Sequence, residues 1–253
     1  MGETADYILS QLSKAYQSVD SYSDTGLMET IWQPGEEDES TTQLSFSTHF
    51  KRPNLFRFEW CRFSRHSDLP NQVSVIWCDG KQAYSKYSFD DKPRKEKLNL
   101  VVAGATGVSS GTAHQILSLL IDEVGGRKIS GWSDVVIAGT EEIDGEDCYR
   151  LQRKVRDTNV WVSKLRSVIL RIEEDYIVDP VNTSDELKRN RFKSFRWFQR
   201  WFRNGFSHGI SNRGVNYTGG KTHIIDKLTY SNVTINSAIP NEVFSQTGSN
   251  GAA

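Results

Sequence analysis

Between positions 44 and 60 the apolar side chains fall on every second residue. Leu44, Phe46, Thr48 and Phe50 alternate with polar neighbours, and after Pro53-Asn54 the alternation restarts as Phe56, Phe58 and Trp60 around Arg57 and Glu59. A period of two puts successive side chains on opposite faces of a strand, so these are strands with one apolar face. Val73, Val75 and Trp77 continue the series, Asp79-Gly80 marks a hairpin turn, and the next strand runs on to Tyr87.

The rest of the chain extends this meander. Thr4 caps a first helix in which Ala5, Ile8, Leu9, Leu12, Ala15, Tyr16 and Val19 recur at three-and-four spacing. Residues 21–32 read as a strand with Gly26 permitting a bend or bulge, and 34–40 as an acidic turn. Residues 92–102 read as a weaker strand, and the glycines between 104 and 111 as a loop. Thr112 opens a helix carrying Ala113, Ile116, Leu117, Leu120, Ile121 and Val124, which Gly125-Gly126 stops. Strands then resume over 135–139, 148–154, 160–163, 167–178 and 221–235, with Asp144-Gly145 as a further hairpin signal. Many short strands and two helices predict an α+β domain built on an antiparallel sheet.

One segment departs from the meander, an inserted stretch over 179–220. At about 100° per residue, Phe195, Trp197, Phe198, Trp201, Phe202 and Phe206 fall on one broad side of a helix. Arg189, Lys193, Arg196, Arg200 and Arg203 fall on the other, while Lys188, Arg191 and Gln199 violate the division. Eight Lys/Arg against two acids between 185 and 213 concentrate +6 in a chain of net charge −1. This pattern suits a helix lying on anionic lipid, a lid over the sheet, or an ordinary packed helix with a solvated basic face. Aromatics segregated from the basic residues argue against nucleic acid, where the two interleave around stacked bases. If the segment meets lipid, the protein sediments with anionic but not neutral vesicles. Replacing Lys193, Arg196, Arg200 and Arg203 by Gln then removes that difference without lowering Tm. Equal sedimentation with both vesicles, before and after the change, eliminates the membrane contact.

Composition adds few constraints. A length of 253 residues suits one large β-rich domain, and nothing between the halves reads as a linker. No run approaches the ~18 apolar residues of a membrane span. Cys61, Cys78 and Cys148 form no metal or redox spacing. Register across the 63–71 loop sets Cys61 against position 73 and Cys78 against 56, which disfavours a bridge between them. No G-x-S-x-G occurs, the five histidines are dispersed, and Glu141-Glu142 and Glu173-Glu174 are strand neighbours that point to opposite faces. The expectation is a protein without catalysis, metal or cofactor.

The chemistry left is apolar burial. Met28, Leu44, Phe46, Phe56, Phe58, Trp60, Val75 and Trp77 are the candidate lining of a ligand face. Alternation says that one face is buried, and leaves a ligand or a helix as what buries it.

The strand F-K-R-P-N-L-F-R-F-E-W (50–60), the turn I-W-C-D-G-K (76–81) and the late Y-S-N-V-T-I-N-S-A-I-P-N-E-V-F (230–244) resemble the LolA/LolB-like group of periplasmic lipoprotein carriers and sorting-type relatives. The resemblance spans roughly 5–244 without the insertion. It implies a strongly curved antiparallel sheet, an unclosed barrel over helices, enclosing a cavity for acyl chains. The implied partner is a lipid or a lipidated protein, and the implied location is the periplasm or cell envelope. Met1-Gly2 leads straight into a helix and reads as an added start, so that location assumes a removed signal sequence. Similar folds also serve as envelope sensors that bind a protein partner, which is the alternative function.

Overall fold

The computed structural model describes residues 3–63, 70–154, 157–178 and 221–245. Helix α1 (Ala5–Ser18) opens the chain, and the Thr4 hydroxyl accepts from the Tyr7 amide as its cap. Six strands follow as a meander: β1 (Ser21–Trp32), β2 (Ser40–Lys51), β3 (Leu55–Arg62), β4 (Gln72–Asp79), β5 (Ala83–Lys86) and β6 (Arg94–Glu96). Helices α2 (Leu98–Val108), α3 (Thr112–Gln115) and α4 (Leu117–Leu120) and a 3-10 turn (Ile129–Gly131) lead to the second meander. This comprises β7 (Val135–Ile143), β8 (Glu146–Arg153), β9 (Thr158–Ser163), β10 (Ile169–Val178) and β11 (Thr222–Ile235), and a last 3-10 turn covers Asn241–Phe244.

Both meanders join in one antiparallel sheet because β11 pairs with β1, giving the order β6-β5-β4-β3-β2-β1-β11-β10-β9-β8-β7. The sheet is open, with β6 and β7 at its edges. Helices α2–α4 therefore lie on the connection between its two edge strands. Each edge is unsuited to pairing with another chain: β6 is three charged residues, and β7 carries a register shift between Ile137 and Gly139.

Helix α1 shares one buried core with the sheet through Ile8, Leu9, Leu12 and Tyr16. The Tyr16 hydroxyl accepts from the Ile169 amide at 3.1 Å, and its ring lies 5.6 Å from that of Tyr22. The Arg52 guanidinium donates to the carbonyls of Tyr16, Gln17 and Val19 at 2.6–2.9 Å, which satisfies the C-terminal carbonyls that the helix itself leaves open. At the far side Glu146 takes a bidentate pair from Arg166, which also donates to the Val233 carbonyl at 2.6 Å and ties the β9–β10 turn to β11.

Two local expectations are corrected. Only Arg94–Glu96 of the strand expected over 92–102 is extended, and α2 then runs through the stretch that its glycines marked as a loop. Leu98, Val101, Val102 and Ala105 recur at helical spacing, so burial of that stripe prevails over the β-branched pair and the glycines. The helix expected from Thr112 is two four-residue helices, α3 and α4, interrupted at Ile116. Leu117, Ser118, Leu119 and Leu120 are all buried, so this segment is enclosed on every side rather than amphipathic.

A candidate ligand-binding face

Cross-strand partners share a face, so the register sorts the side chains without ambiguity. Met28 pairs with Leu44, Phe46 with Trp60, Thr48 with Phe58, and Phe50 with Phe56. Met28, Leu44, Phe46, Phe56, Phe58 and Trp60, six of the eight residues expected to line the face, therefore stand together, each 5 % exposed or less. Their rings form a row: Phe46–Phe58 centroids lie 5.8 Å apart, Phe58–Trp60 5.6 Å, Trp60–Tyr87 5.9 Å and Tyr87–Phe89 5.4 Å. Such offsets and tilts suit the quadrupoles of aromatic rings.

Val75 and Trp77 do not join them. Phe56 pairs with Cys78 and Phe58 with Ile76, so the inward residues of β4 are Ser74, Ile76 and Cys78. The registers expected for Cys61 against 73 and Cys78 against 56 are those observed, and they place Val75 and Trp77 on the outer face. There Trp77 stacks on Tyr84 at 5.1 Å. Beside it Arg57 donates to Glu59 at 2.6 Å and to the Ser245 carbonyl at 2.9 Å, under the C-terminal turn. All three cysteines are free. The residues expected at a membrane or lid (Lys193, Phe195, Arg196, Trp197, Phe198, Arg200, Trp201, Phe202, Arg203 and Phe206) lie outside the described residues.

At the centre of the apolar face sits a polar cluster that the reading of the sequence missed. Asp24 pairs with Thr48, hence faces inward beside Phe58. Its Oδ2 accepts from the Tyr22 hydroxyl at 2.7 Å, while Oδ1 and the Tyr230 hydroxyl have no hydrogen-bond partner among the described residues. Burial pushes the Asp24 carboxyl up to about 7, with hydrogen bonding to Tyr22 and then to Thr48 opposing only part of the rise. Burial likewise holds the hydroxyls of Tyr16, Tyr22 and Tyr230 above the usual phenol range, helped by the nearby Asp24 charge. The geometry behind this is a bulge. Ser23 pairs with Thr234 but Thr25 with Ser231, so Asn232 and Val233 together oppose Asp24. The extra residue lets Tyr230 and Val233, three apart, both be buried. Asp24 was accessible from parity alone, since Tyr22, Asp24, Gly26 and Met28 alternate on one strand.

Over the row lies α2. Gly104 approaches Tyr87 so closely that a Cβ there would stand 2.7 Å from the Tyr87 oxygen. Neither α2, α3 nor α4 has a side-chain cap. Among the described residues no three His, Cys, Asp or Glu side chains gather as metal ligands, and no helix is long and apolar enough to cross a membrane.

No family model and no curated protein matches the chain. Solved structures do. A LolA superfamily protein from Nitrosomonas europaea is similar over 97 % of this chain and 99 % of its own, at 13 % identity and a TM-score of 0.33. LprF from Mycobacterium bovis is similar over 93 % and 94 %, at 12 % identity and a TM-score of 0.42. A putative outer membrane lipoprotein-sorting protein domain from Vibrio parahaemolyticus covers the same shares at 11 % identity and a TM-score of 0.35.

Proposed function

We propose that the inner face of the sheet binds acyl chains of a lipid or a lipidated protein, without catalysis, in a cell envelope. The observation that carries this reading is the row Phe46–Phe58–Trp60–Tyr87, with α2 against its Tyr87 end and two four-residue helices following α2. Burying an acyl chain contributes about 0.8 kcal/mol per CH2, so a site of this kind needs area and no reactive group. The six face residues are closed off, so a ligand reaches them only when part of the cover moves. Helices of four residues have little stability of their own. Moving α2, which they hold in place, costs contacts with the core but unpairs no strand.

The same closure favours a second reading. A face filled by the protein's own side chains also suits a regulatory module that binds a protein partner on another surface.

Titration with cis-parinaric acid separates the two. The carrier reading expects a saturable fluorescence rise, enhanced in Gly104→Leu. A leucine there cannot seat against Tyr87, and it favours the helix itself. Phe58→Glu is no substitute for this test, because at 1 % exposure it buries an unpaired carboxylate and unfolds the domain. If the folded protein and the Gly104 variant both give no saturable response, and native mass spectrometry finds no co-purified lipid, the carrier reading falls and the partner-binding module replaces it.

A further inference from the structure

A concavity lies away from the aromatic row, where the turn after α4 meets the end of β8. It is an open hollow of about 560 Å3 lined by Arg127, Lys128, Ser130, Trp132, Ser133 and Arg153 together with two glycines. Three cations line it and, among the described residues, no carboxylate does. Arg153 is held at two points: its Nε donates to Asp134 at 2.9 Å, and its guanidinium carbon stands 5.2 Å from the centre of the Trp132 ring. Trp132 in turn packs against the core. The side chain of Arg153 is only 15 % exposed, and its Nη groups have no hydrogen-bond partner among the described residues. Lys128 has only a loose contact, 3.5 Å, with Asp122, which is 88 % exposed. Arg127 has no partner among the described residues, and the hydroxyls of Ser130 and Ser133 make no hydrogen bond there.

We propose that this concavity binds an organic phosphate, a phosphate mono- or diester. An immobilised guanidinium with unused donors matches the paired oxygens of a phosphate, and two further cations and two hydroxyls supply the rest of its shell. Fixed donors on a low-dielectric wall hold an anion better than scattered surface lysines do. The volume exceeds that of a phosphate alone and leaves room for its organic group beside Trp132, within the range of ~300–1,000 Å3 usual for small-ligand sites. The site stands independently of the acyl-chain reading, because none of its residues belongs to the aromatic row.

The test follows the Trp132 indole N–H of the full chain by NMR, assigned with Trp132→Phe, during titration with glycerol 3-phosphate at constant ionic strength. A saturable shift is expected, with affinity at least about tenfold weaker in Arg127→Ser/Lys128→Ser, equivalent to about 1.4 kcal/mol. Arg127 is exposed, and Lys128 is half-buried with only its loose contact to Asp122, so the fold is kept. Arg153→Lys retains the charge beside Asp134 but loses the fork, and is expected to weaken binding as well. Dihexanoyl phosphatidylglycerol below its micelle concentration separates the sources. Binding about tenfold tighter than glycerol 3-phosphate assigns a lipid headgroup, and equal binding assigns a soluble phosphate ester. A shift that never saturates, or one unchanged in both variants, overturns the proposal.

Discussion

Asp24→Asn is expected to stabilise the protein by about 4 kcal/mol at pH 8 and to change little near pH 4. Asp24 is 2 % exposed, and burial carries its carboxyl from the usual 3.8 to about 7. Between those two values the folded chain keeps a proton that the unfolded chain has released. Stability contributed by this group therefore falls as pH rises through the window, and the loss is complete above pH 7. Each unit corresponds to about 1.4 kcal/mol, so a shift of this size sums to about 4 kcal/mol. Below both values the carboxyl is protonated in either state and contributes nothing. Asparagine carries no charge at any pH and accepts the same Tyr22 hydroxyl. Its NH2 adds a donor to a cluster in which the Tyr230 hydroxyl lacks a partner among the described residues. The other titratable groups around it are Tyr16, Tyr22 and Tyr230, whose raised values keep them neutral throughout. Other shifted groups, such as Glu146, which Arg166 holds low, act alike in both proteins. Urea unfolding of both proteins from pH 4 to 8 measures the difference. Parallel curves would show that Asp24 is not held neutral in the fold.

The meander was legible because alternation survives wherever one face is buried. Leu44 to Phe50 and Phe56 to Trp60 announced both the strands and the side that is covered, and the structure places them so. Val75 and Trp77 were misassigned by size. Cross-strand register depends on the count of residues between strands, and that count set Ile76, not Trp77, beside Phe58. The register reading for Cys78 already contained the correction. Asp24 was passed over because a carboxyl is expected in water, and what holds it inside, the bulge at Asn232, is a pairing between strands more than 200 positions apart. Arg52 as the closing group of α1 and Arg153 in the basic concavity leave no pattern at all in a linear reading. Each acts on groups brought to it by the fold: carbonyls over 30 positions away for Arg52, and a turn about 20 away for Arg153.

Gly26→Ala is expected to cost about 3 kcal/mol, the upper part of the range for overpacking a filled core, although alanine is ordinarily the smallest of changes. Gly26 lies on the inner face between Asp24 and Met28, paired with Phe46 on one side and Tyr230 on the other. The Phe46 ring lies over the glycine, with the Tyr230 ring edge-on at 5.5 Å. A Cβ would stand 2.1 Å from Phe46 Cζ and 2.6 Å from the Thr229 carbonyl oxygen. The ring can swing, but Phe58 stands 5.8 Å from it, and the carbonyl belongs to the backbone of the paired strand β11. An aromatic ring laid over a strand glycine is thus what allows Phe46, Phe58 and Tyr230 to share this part of the face. The double change Gly26→Ala/Phe46→Leu separates this clash from a general loss of strand stability. Leucine vacates the space that the methyl enters, so the two costs are expected to fall short of their sum by more than about 1 kcal/mol. Thermal unfolding of the four proteins of the cycle gives that coupling directly. An alanine variant with unaltered Tm, or costs that simply add, would mean that Phe46 does not lie over Gly26 and that the aromatic row is built differently.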